Sequence, residues 1–146
     1  MTAAVTLPRP TVPSTDRRTL VVHVRDPEGF TEYIGRGMRT NADPRVRRRS
    51  PWANPWRVGQ IVADCSDGQP VALDLPEVLR RYELITLPNL REFFGDAWFA
   101  EALAQLAGQR LGCWCADIGT PLTTDDLPVR CHGQLIAALV EREVGR

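Results

Sequence analysis

The chain has 146 residues, enough for one domain with a single core. Its 43% hydrophobic and 25% charged residues are ordinary for a globular protein, and no apolar run approaches the roughly 20 residues that span a bilayer, so no membrane partner is expected. The formal net charge is zero, but all 18 basic residues are arginine, which excludes a Schiff-base lysine and a Walker-type phosphate lysine.

Residues 1–18 lack the apolar stretch of a secretory signal and read, from their Pro, Thr and Ser content, as a flexible lead-in. Residues 19–146 are expected to form a single α/β domain. A cytoplasmic location is the matching expectation, and there a structural disulfide framework is not expected.

The first ordered segment, "TLVVHV" at residues 19–24, is β-branched and apolar and predicts a buried strand. "DPEGF" turns the chain, and "TEYIGRG" predicts a short second strand ending in Gly35 and Gly37. The next stretch, "MRTNADPRVRRRSPWANPWRVG", holds three prolines and many polar residues, so neither a regular helix nor a central strand is expected. A loop of this length inside a compact domain is usually functional or mobile. Residues 36–57 carry Arg36, Arg39, Arg45, Arg47, Arg48, Arg49 and Arg57 against one acid, Asp43. Two readings stay open: a surface for phosphate or nucleic acid, or arginines paired with the acidic part of the same chain.

"LPEVLRRYELIT" predicts a helix with Pro76 in its first turn and Leu75, Val78, Leu79 and Tyr82 on one face. "GDAWFAEALAQLAG" predicts another, capped by Asp96, stopped at Gly108, and burying Trp98, Leu103 and Leu106. "QRLGCWC" then predicts a strand, and "CHGQLIAALVERE" a last helix with Leu135, Ile136, Leu139 and Val140 inward. This helix–strand–loop–helix order argues for a small sheet flanked by helices.

Alternation along the strand puts Leu111, Cys113 and Cys115 on one face and Gly112 and Trp114 on the other. Cys115 is expected at the strand end, with Cys131 and His132 at the helix start. In open α/β folds such places hold ligands. Three readings remain open. Cys131 could be a reactive thiolate favoured by the helix N-terminus, with His132 as acid or base and Cys115 as resolving partner. Cys113, Cys115, Cys131 and His132 could hold zinc, provided the strand bends at Cys115, since same-face strand residues lie about 7 Å apart. Or the thiols simply pack as small apolar groups, the reading favoured for Cys113. Cys65 reads as incidental, His23 as a core or surface residue, and Asp26 and Glu32 as carboxylates with no motif to promote them.

The ordered set "YIGR", "SPWANPW", "CWCA" and "CHG" resembles the uncharacterised family known as domain of unknown function 4326, found in bacteria, archaea and phages, over roughly residues 21–141. The family pattern has "GNPF" where this chain has "ANPW". Its loop between the two cysteine elements is only a few residues, against 116–130 here, which weighs against close approach of Cys115 and Cys131. The "CH" element also resembles a second uncharacterised family, domain of unknown function 488. The resemblance links the two halves of the chain through Tyr33, Gly35, Arg36, Ser50, Trp52, Asn54 and Pro55. Arg36 beside Gly35 suits an anion, Ser50 and Asn54 offer hydrogen bonds, and Trp52 could stack on a base.

The resulting expectation is a nucleotide- or nucleoside-directed enzyme or binding domain. Its ligand is a small phosphorylated compound or a nucleoside, and its reaction a transfer or hydrolysis. The alternatives are a nucleic-acid-binding accessory protein with zinc or packed cysteines, and a thiol redox sensor using Cys115 and Cys131.

Overall fold

The computed structural model describes residues 18–63 and 66–145. Within them the elements are β1 (Leu20–His23), β2 (Glu32–Tyr33), α1 (Pro44–Arg47), β3 (Ile61–Ala63), β4 (Pro70–Ala72), α2 (Leu75–Arg81), a π-helical turn (Tyr82–Thr86), α3 (Leu87–Phe94), α4 (Asp96–Leu106), β5 (Arg110–Cys113) and α5 (His132–Val144). The fold is α/β, a three-stranded parallel sheet with helices and a separate two-stranded ribbon, β3–β4. Residues 1–17 of the lead-in and Cys65 lie outside the described residues. Arg18, the last residue of that lead-in, is anchored instead: it pairs with Asp125 at 2.7 Å and donates to Thr124.

Strand β5 lies between β1 and β2 and runs parallel to both, with His23 opposite Cys113 and Tyr33 opposite Gly112. A parallel strand in this position needs both faces covered. Leu111 and Cys113 face the main core, where Val21, Ile34, Leu103, Leu106, Ile136 and Val140 are buried. The opposite face carries a smaller cluster of Val22, Phe30, Tyr33 and Val46, with Trp114 against it. Gly112 makes this possible, because a Cβ there would lie 2.6 Å from the Phe30 ring.

Several elements differ from expectation for local reasons. The strand expected to reach Cys115 stops at Cys113, and the chain bends through residues 114–116. The helix expected over residues 75–86 is regular only to Arg81 and then widens into the π turn. Pro88 has no N–H and would crowd the carbonyl of Leu84 in a regular helix; the wider turn, closed by Leu87 N–H to Tyr82 O, carries the chain past it into α3. Asp96 does not cap α4. Gly95 does, with φ of 95°, and the Asp96 carboxylate accepts from Arg91 Nε at 2.8 Å. One helical turn, α1, forms within the proline-rich loop, because Pro44 suits a first position and Asp43 accepts from Arg45 N–H.

Helix α5 crosses close to the sheet at its N-terminus. A Cβ on Gly133 would lie 2.8 Å from Ile34 Cδ1 and from Val21 Cγ1, both on fully buried side chains. Gly133→Ala should therefore lower stability by about 1–3 kcal/mol through overpacking, more than the under ~1 kcal/mol that better helix propensity returns. Urea denaturation of the two proteins measures this difference.

Candidate metal centre and adjoining cleft

The bend after β5 brings Cys115 back toward Cys113, whose Sγ atoms lie 3.4 Å apart. Cys131 caps α5 and places its Sγ 3.4 Å from that of Cys113. His132, the first residue of α5, turns Nδ1 toward Cys113 Sγ at 3.9 Å. The four donor atoms all lie within 4.8 Å of one another. The sulfurs are far beyond the bond length of about 2.05 Å in a disulfide. Ligands on a tetrahedral zinc sit about 3.6–3.8 Å apart, given Zn–S of about 2.3 Å and Zn–N of about 2.0–2.1 Å. The two sulfur pairs at 3.4 Å would widen by a few tenths of an ångström and the widest pair, at up to 4.8 Å, would close by about 1.0–1.2 Å to reach that geometry.

The imidazole is oriented for such a role. Its Nε2 lies 2.8 Å from the carbonyl of Ile34, which can only accept, so Nε2 carries the proton. In the neutral ring Nδ1 is then a bare lone pair aimed into the thiols, the arrangement expected of a metal-binding histidine with a backbone partner. Tyr82 packs edge-on against the ring at 5.0 Å and is itself fixed by a 2.7 Å hydrogen bond to Trp52 O.

Without an ion the cluster is electrostatically divided. Hydrogen bonds with Cys115 and Cys131 hold the Cys113 thiol well below its ordinary range, against the opposing effect of burial. Cys131 is pushed well above it by its bonds to Cys113 and Cys115 and by burial. Burial opposes charge on His132, and its interactions with Cys113 and Cys115 outweigh that, lifting it to about 10. The negative charge of the metal-free cluster thus gathers on Cys113, beside an imidazolium.

The insertion at 116–130 does not separate the cysteines. Leu122 pairs with Val21 along the edge of β1, with N···O distances of 2.9 and 2.7 Å, so the loop returns to the sheet. Gln134 then holds its far end. Its amide oxygen accepts from Arg130 N and Cys131 N, and its nitrogen donates to Thr123 O and Asp126 O. This residue was missed in the sequence, although a side-chain acceptor at the helix start followed by glutamine three positions on is a capping-box pattern.

A cleft of about 440 Å³ opens beside the cluster. It is walled by Gly35, Arg36 and Asn54 from the early loop, by Cys113 and Cys115, and by Arg57 and Arg130. Val58, Leu75, Val78 and Leu79 add apolar surface, and among the described residues no carboxylate lines it. Arg36 is held by the carbonyls of Asn54 and Trp56, at 2.9 and 3.3 Å. Burial, then repulsion from Arg57 and Arg49, lowers its pKa, with the thiols of Cys115 and Cys113 opposing.

The structure divides the other expected ligand residues. Tyr33, Ser50 and Trp52 line a different groove of about 700 Å³, with Arg45, Arg48, Arg49 and Trp98. Trp52 is not free to stack on a base; the residue is 5% exposed and its ring packs against Trp98 and Phe99. Ser50 and Asn54 spend their side-chain oxygens on the N–H groups of Trp52 and Trp56 inside the loop. Cys131 has no exposure, so the role of nucleophile toward a ligand in the cleft does not fit its position. His132 has Nε2 committed to Ile34 and Nδ1 to the thiols, which leaves no nitrogen for acid–base work on a ligand. Of the two carboxylates without a motif, Asp26 pairs with Arg110 at 2.7 Å and Glu32 borders the second groove. His23 is half-buried, edge-on to Trp114.

Residues 28–142 match the family described as Domain of unknown function (DUF4326). The chain belongs to this family. No curated protein and no solved structure matches it. The matched span of the DUF4326 family takes in Arg36, all four members of the cluster and the arginines of the cleft.

Gln134→Ala would strip four backbone groups around the insertion of their partner. It should cost about 2–3 kcal/mol, read from denaturant midpoints. Amide exchange should rise at 123–131 with little change in β1.

Proposed function

We propose that this protein holds zinc through Cys113, Cys115, Cys131 and His132 and binds a small phosphorylated ligand of nucleotide size in the cleft beside it. The observation that carries the reading is the lining of one cleft: Arg36, Arg57 and Arg130, of which Arg130 pairs with Asp117 outside the lining, together with Cys113, Cys115 and His132 of the metal-ligating cluster, and no carboxylate among the described lining residues. Three thiols and an imidazole form a soft donor set that suits zinc rather than magnesium or calcium. Arginine suits the anion, because its planar fork meets two phosphate oxygens at once. The apolar wall supplies a surface for a base or other flat body, and the volume lies within the range of small-molecule sites. A nucleotide-directed transfer or hydrolysis is the reaction class that fits. A reducing compartment such as the cytoplasm would keep the thiols available as ligands.

Purified protein should carry about one zinc per chain by mass spectrometry of the metal. Stripping it with a strong chelator should lower the melting temperature, because the energy of holding the ion is part of the folding energy. Protein purified without metal, and indifferent to added zinc, would contradict the metal half of the reading.

Arg57 tests the ligand half cleanly, since among the described residues its guanidinium has no hydrogen-bond or ion-pair partner to lose. In calorimetric titrations, nucleoside monophosphates should bind and the matching nucleosides should bind at least about tenfold more weakly. Arg57→Ala should weaken the nucleotide by about tenfold or more, with the melting temperature unchanged. Equal binding of nucleotide and nucleoside would remove the anion from the reading.

One observation favours a second reading, a grip on a nucleic-acid backbone. Among the described residues Arg48 and Arg49 pair with no acid, and both line the second groove beside Trp98. Binding of that kind falls steeply with salt, as counterions are released.

A further inference from the structure

The four donors are not equivalent. Cys113, Cys131 and His132 are buried, at 3%, 0% and 5% exposure, and each is fixed by its element: the end of β5, the cap of α5, and the bond to Ile34. Cys115 is the exposed member. It sits on the bend beyond β5, outside any helix or strand, with its sulfur 3.4 Å from that of Cys113, and it lines the cleft. Closed zinc sites keep four protein ligands, whereas reactive ones keep three and leave a fourth position to water or substrate.

From this asymmetry, and resting on the zinc reading above, we infer that Cys113, Cys131 and His132 form the lasting ligand set, and that Cys115 is an exchangeable fourth ligand which an anionic oxygen in the cleft displaces. In the exchange the Zn–Sγ bond of Cys115 breaks, its sulfur keeps the electron pair and takes a proton from solvent. An oxygen lone pair of the entering anion forms the new bond to zinc. No electron changes hands. The site favours this exchange for an anion because Arg36 and Arg57, which pair with no acid among the described residues, line the same cleft. Loss of one thiolate also leaves the ion more positive and a stronger Lewis acid, which suits activation of a bound phosphoryl oxygen or water.

The test uses full-length protein, Cys115→Ala and Cys131→Ala, each assayed for zinc after gel filtration, together with cobalt(II)-loaded wild type titrated with inorganic phosphate. Wild type and Cys115→Ala should both keep about one metal per chain, while Cys131→Ala should keep less than about a tenth of that. Phosphate should reduce the thiolate-to-cobalt absorption of wild type by about one third, as three thiolates become two, and bring its spectrum toward that of phosphate-treated Cys115→Ala. The inference is overturned if Cys115→Ala loses its metal, or if phosphate leaves the wild-type cobalt spectrum unchanged. A wild type that holds no metal overturns the zinc reading itself, a separate result. Should Cys131→Ala not fold, the wild-type cobalt titration decides.

Discussion

The hydrogen bond from His132 Nε2 to the carbonyl of Ile34 is the tie on which the rest of the site depends. It joins the start of the last helix to the segment just beyond β2, two parts of the chain separated by most of the sequence. In the neutral ring it selects the tautomer and thereby leaves the inner nitrogen as the acceptor. The close approach it requires is sterically permitted by Gly133, which lets α5 settle against Val21 and Ile34. Tyr82 closes the far side of the ring from the π turn, and its own hydroxyl is held by Trp52 O. Strand, loop, π turn and helix therefore converge on one buried ring.

Charge is arranged around that convergence with a division of labour. Of the arginines in the early loop, Arg45 pairs with the neighbouring Asp43, and Arg47 and Arg36 donate to backbone carbonyls. Among the described residues the acids later in the chain do not neutralise this run; they meet Arg18, Arg91 and Arg130 and helix neighbours, while Arg110 takes the earlier Asp26. A net charge of zero thus conceals a positive cleft. Burial and mutual repulsion work against the charge on Arg36, and the nearby thiols oppose that effect. An anion in the cleft would do the same more directly, which is the physical basis of the proposed ligand class.

Much of the fold was legible in the chain. "TLVVHV" is apolar and β-branched enough to demand a buried strand, and α4 and α5 carry a clear apolar stripe. The failures are local competitions that periodicity does not register. Pro88 turned the end of one expected helix into a π turn that leads into α3, a helix not expected, and Gly95 took the cap expected of Asp96 because its positive φ fits the corner between α3 and α4. The β3–β4 ribbon was missed because Ile61 and Val71 are exposed and show no buried alternation. At the site, residue types spoke more clearly than roles. The thiols and His132 stood out, as did Gly35 and Arg36. Trp52, Ser50 and Asn54 looked equally suited to a ligand, yet the loop uses them on itself.

From residue types and order alone, the chain specified an α/β domain, an arginine-rich segment without lysine, and a set of three thiols and one imidazole near a strand end and a helix start. Only the folded arrangement decided that the strand stops at Cys113 so that Cys115 can bend back. The same holds for Leu122 returning the insertion to β1, and for Gln134 holding the end of that loop against the cap of α5. The reason is the range of the forces involved. Apolar period and capping act over a few residues and are written in the local sequence. The distance between sulfurs far apart in the chain depends on sheet register and on how closely a helix can approach, which is settled only once the core has packed.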